Sequence, residues 1–344
     1  MQYEVTIGIP VYESVDYIQQ AVESALNQTF SSIEYLIVDD CGHDGAMDIV
    51  NRLQQEHPRG KDIRILQNDQ NRGVSFCRNR IIDEAQGAFL YFMDSDDTIE
   101  PHTIELLYHA IITHEVQIAY ASYDIIDGIS QGPTQIFQKA SLVLKGEDEL
   151  AMYAFKNNHV FHVSVCNFLI DLLYLRQTRL RFIKVDYWED MAFTTELVTM
   201  ISKAVLLSEV TYHYLRRTGS LSHYQHRCLI DKHEIDTNIE VIDYLKQFCF
   251  KLKGKPYLSF LCYNLEINSF YITCYIIKYS HQIVDKYSLK EIQRILWHPL
   301  QLSEILLLNQ KQLPNLFFYF VNHMPSLFFL PLVRFTGRLK GVYK

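Results

Sequence analysis

Phe89-Leu90-Tyr91-Phe92-Met93 runs straight into Asp94-Ser95-Asp96-Asp97. Five large apolar residues without polar alternation read as a strand buried on both faces of a parallel sheet. Three carboxylates follow where such a strand leaves the core. Open α/β sheets bind ligands at the carboxyl ends of their strands. Hard oxygen donors grouped there suit a divalent cation that carries phosphates. An Asp-X-Asp triplet alone is equally a solvated turn, and Asp97 or Thr98 is read as a cap for the next helix. Capping leaves metal binding open.

The neighbouring sequence gives the triplet its setting. Apolar runs at 5–10, 35–39 and 63–67 precede it, 88–93 contains the run itself, and 117–122 follows. Helical patterns fill the gaps at 16–27, 46–55, 75–85 and 101–114. Ser14 or Asp16 is a candidate cap for the first, and Pro101 suits the opening turn of the last. Strict alternation of this kind implies βαβ units, hence an α/β fold with a mainly parallel sheet. From about residue 125 the pattern loosens, with turns at Gly128, Gly132, Pro133 and Gly146. Residues 160–170 read as a strand and its continuation, 190–201 as a helix, and 203–210 into 212–215 as strand. After Arg227 the chain is helical to about Leu308, and the apolar segment 313–332 is interrupted by Pro314, Pro325 and Pro331.

With 344 residues there is room for two domains, or for one domain with a large extension. A hydrophobic fraction of 48% supports a full core, and a net charge of -8 argues against a nucleic-acid partner. The cysteines are odd in number, scattered and free of CxxC pairs, which argues for a reducing compartment and against a disulfide framework or zinc site. The chain opens on strand-like Tyr3-Glu4-Val5-Thr6-Ile7, so no leader is expected. No run reaches the roughly 18 apolar residues of a spanning helix. A cytoplasmic location is the expectation.

Four constellations fall at the ends of the expected strands. They are Ile9-Pro10-Val11-Tyr12-Glu13, then Val38-Asp39-Asp40-Cys41-Gly42, then Asn71-Arg72-Gly73 with Arg78-Asn79, and finally Asp94–Asp97. The spacing brings four loops to one edge of the sheet. Each has a plainer reading beside it: Pro10 as a strand end, Asp39-Asp40 as a solvated turn, Arg78 as a surface residue.

Taken in order, these residues resemble a family 2 glycosyltransferase of the GT-A fold. The resemblance continues to Trp188-Glu189-Asp190 and covers roughly residues 1–220. It departs after Asp40, where the family has Gly-Ser and this chain has Cys41-Gly42-His43-Asp44. The Gln-x-x-Arg-Trp motif of processive synthases is absent, as is their multi-spanning portion, which favours addition of one sugar.

The resemblance implies a catalytic domain at 1–225, with a donor half to about 125 and an acceptor half beyond, and a mainly helical region at 226–344. It implies that Pro10, Tyr12 and Glu13 line the nucleotide pocket. Asp39 would hold the uracil edge with Asp40 nearby, and Arg78 would face the base or phosphates. Asp94, beside Ser95, would touch ribose or sugar and share a Mn²⁺ or Mg²⁺ with Asp96, the main ligand. Arg216 would reach the pyrophosphate. His223 is a further candidate ligand, although a lone histidine is also an ordinary structural or solvated residue. An inverting transfer needs a base, and Asp190 fits, with Glu189 as its substitute. At a helix start its carboxylate is expected to be held ionised; the plainer reading is an N-cap.

The implied activity moves one sugar from a nucleotide sugar, a UDP-sugar first, to a hydroxyl of a growing lipid-linked surface glycan. Two alternatives stay open: a transferase acting on polyprenyl phosphate, and a non-catalytic nucleotide-sugar-binding subunit. The tail leaves its own choice. Phe317–Val321 and Leu327–Leu330 are aromatic and apolar, no acid follows Glu304, and Arg334, Arg338, Lys340 and Lys344 are basic. That composition suits an anionic membrane surface, and equally a packed subdomain or a homodimer interface.

Overall fold

The structure is a computed structural model that describes residues 3–127, 133–156, 164–216 and 229–341. Its elements form two compact units, Met1–Leu150 with His162–Ser220, and Ala151–Phe161 with Leu221–Lys344.

The first unit is one mixed sheet flanked by helices. In chain order it holds β1 (Tyr3–Val11), α1 (Ile18–Leu26), β2 (Ile33–Asp39), α2 (Ala46–Glu56), β3 (Ile63–Gln67), α3 (Val74–Glu84) and β4 (Gly87–Phe92). There follow β5 (Thr98–Ile99), α4 (Thr103–His114), β6 (Ile118–Asp127), β7 (Pro133–Phe137) and β8 (Leu142–Lys145). After α5 (Glu149–Lys156), which carries the chain from the first unit into the second, come β9 (Phe168–Asp171), α6 (Leu172–Thr178), α7 (Glu189–Met200) and β10 (Lys203–Arg216). The strand order is β3-β2-β1-β4-β9-β6-β10-β5, with β7 on β6 and β8 on β10. The first four strands are mutually parallel and β9 runs against both its neighbours.

The order explains where a ligand site forms. From β1 the chain steps outward through β2 and β3, then returns to place β4 on the other side of β1. That reversal opens a crevice at the carboxyl ends of the strands. The expected continuous burial holds except at the start of the run: Ile7, Ile9, Ile37, Val38, Leu90, Tyr91, Phe92 and Met93 are without exposure, whereas Phe89 is half-buried. Gly8 matters because α3 lies directly on β1. A Cβ there would sit 2.3 Å from Ile81 Cγ2, so only glycine admits the helix at this depth.

Several local expectations are corrected. Among the described residues no side chain caps α1 and the buried Ser14 hydroxyl has no hydrogen-bond partner; Asp44 Oδ2 from the next loop accepts the Val15 N–H, at 2.7 Å. Pro101 precedes α4 by a turn, since that helix starts at Thr103. Asp97 and Thr98 cap nothing: Thr98 is drawn into β5, and Asp97 is buried against β10. The strand read at 203–215 is one element with a bulge between Leu206 and Tyr212.

The second unit contains α8 (Lys232–Phe248), α9 (Leu258–Lys278), α10 (Leu289–Arg294), α11 (Leu302–Leu306), α12 (Gln312–Asn322) and α13 (Ser326–Leu339). Lys246 on α8 and Glu266 on α9 form a fully buried ion pair at 2.9 Å. The ammonium also donates to Ile295 O and Trp297 O, so its three protons are all used. Burial pushes Glu266 up to about 7 despite Lys246 beside it. The cost of taking both charges out of water offsets much of their attraction, so such a pair adds little net stability, while removing one partner alone is strongly destabilising. Pro314 and Pro325 do not shorten the tail helices: one sits in the first turn of α12 and the other is the N-cap of α13, places that suit a residue without N–H. Pro331 lies inside α13. Among the described residues no helix is long and apolar enough to cross a membrane.

Candidate active site

The loops after β1 and β2 are held by carboxylates that accept backbone N–H groups. Asp39 Oδ1 accepts from Cys41 N at 3.0 Å and Gly42 N at 3.3 Å, bonds in which Oδ2 takes no part. Asp40 is turned the other way. Its Oδ1 accepts from Asn68 Nδ2 and Arg72 N, and its Oδ2 from Gly73 N, so it pins the Asn71-Arg72-Gly73 loop that opens α3. Asp44 bridges the β1 loop to α2, accepting from Val15 N and Ala46 N. The Cys41–Asp44 departure from the family pattern therefore holds the two loops together. Glu13 and Cys41 both have left-handed backbone, which non-glycine residues adopt at a cost of order 1–3 kcal/mol. Pro10 is half-buried and Tyr12 and Glu13 are exposed, so this segment forms an accessible rim.

Arg78 on α3 is the centre of the site. Its guanidinium is buried, with Nη1 donating to Glu189 Oε1 at 2.6 Å and Nη2 to Asp94 Oδ1 at 2.8 Å. Burial would lower its pKa, but Asp94 and Glu189 outweigh that and hold it charged. The cation lies over the Phe182 ring, which stacks flat on Phe193 at 3.9 Å and meets Phe92 edge-on. One residue further on, Asn79 exchanges two bonds of 2.8 Å with the Phe182 backbone. Helix α3 thus fixes the loop that leads into α7. The guanidinium is committed to two carboxylates, an arrangement the expectation of a base- or phosphate-facing arginine did not include.

At the end of β4, Asp94 also accepts from the Cys166 thiol at 3.2 Å, and its N–H donates to the Tyr212 hydroxyl. Tyr212 in turn donates to Asp97 Oδ2 at 2.5 Å, and Leu215 N donates to Asp97 Oδ1. Burial, then Asp96 and Asp94, raise the Asp97 pKa well above the carboxylate range. Asp97 is thus a tether between the β4 turn and β10, and it fixes Leu215, the neighbour of Arg216. Ser95 and Asp96 form the tip of the turn and are half-buried. His223 lies outside the described residues.

Glu189 and Asp190 open α7 after Trp188, a left-handed N-cap. Asp190 retains some surface, but its carboxylate sits deep. Burial and the adjacent Glu189 push its pKa up to about 7, against the pull of Arg78 and the Met191 N–H. The expected lowering by the helix start is overturned: desolvation and a like charge exceed it. A pKa near neutrality suits a group that takes a proton at ordinary pH.

Sequence reasoning assigned no part to Cys166, Phe182 or Tyr212. Each acts across the fold, and no local spacing marks it.

Comparison with known proteins adds what the chain is similar to. Residues 6–171 match the model of Glycosyl transferase family 2. The succinoglycan biosynthesis protein ExoO of Rhizobium meliloti is 29% identical over 227 residues, 64% of this chain; the chain spans 62% of that relative's length. The glucosyltransferase WfaP of Escherichia coli, whose full name gives UDP-Glc and GlcNAc-diphosphoundecaprenol, is 27% identical over 71% of this chain and 90% of its own. In three dimensions, residues 1–349 of TarS from S. aureus superpose with a TM-score of 0.61 at 16% identity, covering 93% of this chain and 90% of that one. A second crystal structure of that fragment, solved with UDP-GlcNAc, gives 0.57. The strand-end loops from Pro10 to Asp97 lie within the part of the sequence that the family model spans, so residues 6–171 are similar to glycosyl transferase family 2.

Proposed function

We propose that the chain transfers one sugar from a nucleotide sugar, a UDP-sugar first, to a hydroxyl of a lipid-linked surface glycan, with inversion at the anomeric carbon. The observation that carries this reading is the pair of salt bridges from Arg78, one to Asp94 and one to Glu189. Through one guanidinium it joins the carboxylates expected at the donor to the segment that presents Asp190. The glucosyltransferase relative, named for a UDP-Glc donor and a diphosphoundecaprenol acceptor, supports the substrate classes. So does the UDP-GlcNAc complex of the structural neighbour.

Asp190 takes the acceptor hydroxyl's proton as the oxygen attacks. Arg78 orients Glu189 and so fixes the helix start from which Asp190 projects. Asp39, with Oδ2 outside its turn bonds, accepts the uracil N–H. The rim of Pro10, Tyr12 and Glu13 flanks the base, Asp94 and Ser95 the sugar, and Arg216 the pyrophosphate.

For the cation, no three His, Cys, Asp or Glu side chains converge as a cage among the described residues. Asp94 already serves Arg78 and Cys166, and this reading takes Asp96, at the tip of the turn, as the principal donor. That set fits Mn²⁺ or Mg²⁺ completing its shell with pyrophosphate oxygens and water. When bound, such an ion offsets the charge of the departing nucleoside diphosphate. An acceptor carried by lipid places the work at the inner membrane face. There an anionic surface and a second copy of the chain compete as partners of the tail.

The reading is tested by nucleotide release across UDP-, GDP- and dTDP-sugars with lipid-linked acceptor and Mn²⁺. UDP donors should turn over fastest, and EDTA or Asp96→Asn should remove most activity. Full turnover in EDTA contradicts the metal role, and no acceptor-dependent release from any donor contradicts transfer itself.

A further inference from the structure

We infer that α13 docks this protein on an anionic lipid surface by its outward face. The inference stands apart from the transfer reading, because binding to vesicles requires no donor, metal or acceptor.

The helix has two sharply different sides. Phe329, Val333 and Gly337 recur every four residues and are buried. Leu327, Phe328 and Phe335 are exposed by 78%, 60% and 60%, and Leu339 follows on the same side. At 100° per residue these exposed positions share one arc with Pro331, Arg334 and Arg338, opposite the buried stripe. Large aromatic and aliphatic side chains are therefore held outward by a helix already seated on its other face.

Charge selects the occupant. Arg334 and Arg338 lie along the apolar arc, Lys340 is the C-cap of the helix, and all three are exposed. The sequence has no acidic residue after Glu304. A two-fold contact with a second copy would bring this patch onto itself and oppose cations to cations. A bilayer with anionic headgroups instead takes the rings at the acyl boundary while the arginines extend to phosphate.

The test is co-sedimentation of the full chain with phosphatidylcholine vesicles, with and without phosphatidylglycerol. Binding should need phosphatidylglycerol and weaken with salt. Arg334→Gln with Arg338→Gln and Lys340→Gln should weaken it on the order of 100-fold, at a factor of about 5 per surface cation. Phe328→Ser with Phe335→Ser should weaken it at least about tenfold, because both rings leave the interface. These positions are exposed, so thermal melts of both variants should match the wild type, and a matching melt assigns any loss to the surface. Equal partition into neutral vesicles, or none into either kind, overturns the inference. So does a concentration-dependent dimer in sedimentation that the two phenylalanine changes dissolve.

Discussion

The two sides of the site are built differently. After β2, carboxylates are held mainly by backbone N–H groups 2 to 33 residues away, as for Asp39 and Asp40. Around α7 and β10, they are held across separations of 111 and 115 residues, as for Glu189 with Arg78 and Asp97 with Tyr212. The first side is a rigid cradle of loops. The second is a buried, charge-paired network in which desolvation raises the pKa values of Asp97 and Asp190. Under the proposed function, the first side positions the donor and the second moves the proton.

The sharpest way to break the comparison is Arg78→Met. It leaves Glu189 buried without its cation, and losing one partner of a buried pair costs about 3–5 kcal/mol. Urea unfolding should show that loss. Arg78→Lys keeps the charge but cannot fork to both carboxylates, and should recover part of the stability with little of the turnover. Wild-type stability in Arg78→Met would mean that the bridge is incidental.

Smaller effects distinguish the neighbouring aspartates. Asp39→Ala should weaken UDP binding by about 1–3 kcal/mol, as for a lost charged hydrogen bond, with little change in unfolding. Asp40→Ala should do the reverse, because its partners are protein backbone and Asn68. Calorimetry and unfolding on both variants check this, and equal loss of UDP affinity would contradict it. Tyr212→Phe should cost about 1–3 kcal/mol by leaving buried Asp97 one donor short.

The pH dependence of the second side follows from Asp190. Its pKa rises from 3.8 to about 7 on folding, so the folded state binds more protons in that window. The contribution of this group to stability is present below the window and is lost as pH rises through about 7. Turnover moves oppositely, rising through the same region as the base ionises. A pH–rate profile flat from 5 to 9 would count against this, the range being set by roughly two units either side of the group.

This contrast also explains what the sequence shows. The alternation of β1 to β4 with their helices is legible because each element carries its own period. The strand-end carboxylates are legible because each directly follows an apolar strand run, although Asp40 finds its partners 28 to 33 residues away. Arg78 is visible as a residue but not as a bridge, since its partners are fixed only when α3 lies on β1 beside Gly8. The direction of the Asp190 shift is illegible for the same reason: a helix start is a local feature, while burial and the Arg78–Glu189 pair belong to the folded unit. Asp97 read as a cap because caps are local, and β10 claims it instead. The tail prolines read as breaks, yet two of them fall where a helix tolerates proline.

The most direct test of the central claim replaces Asp190 by Asn and measures turnover and UDP affinity on the same preparation. The substitution keeps shape and removes basicity. Turnover should fall by roughly 10²–10⁴-fold with UDP affinity unchanged, and the wild-type product should carry the inverted anomer. Near-wild-type turnover, or a retained anomeric configuration by NMR, would contradict the assignment of Asp190 as the base.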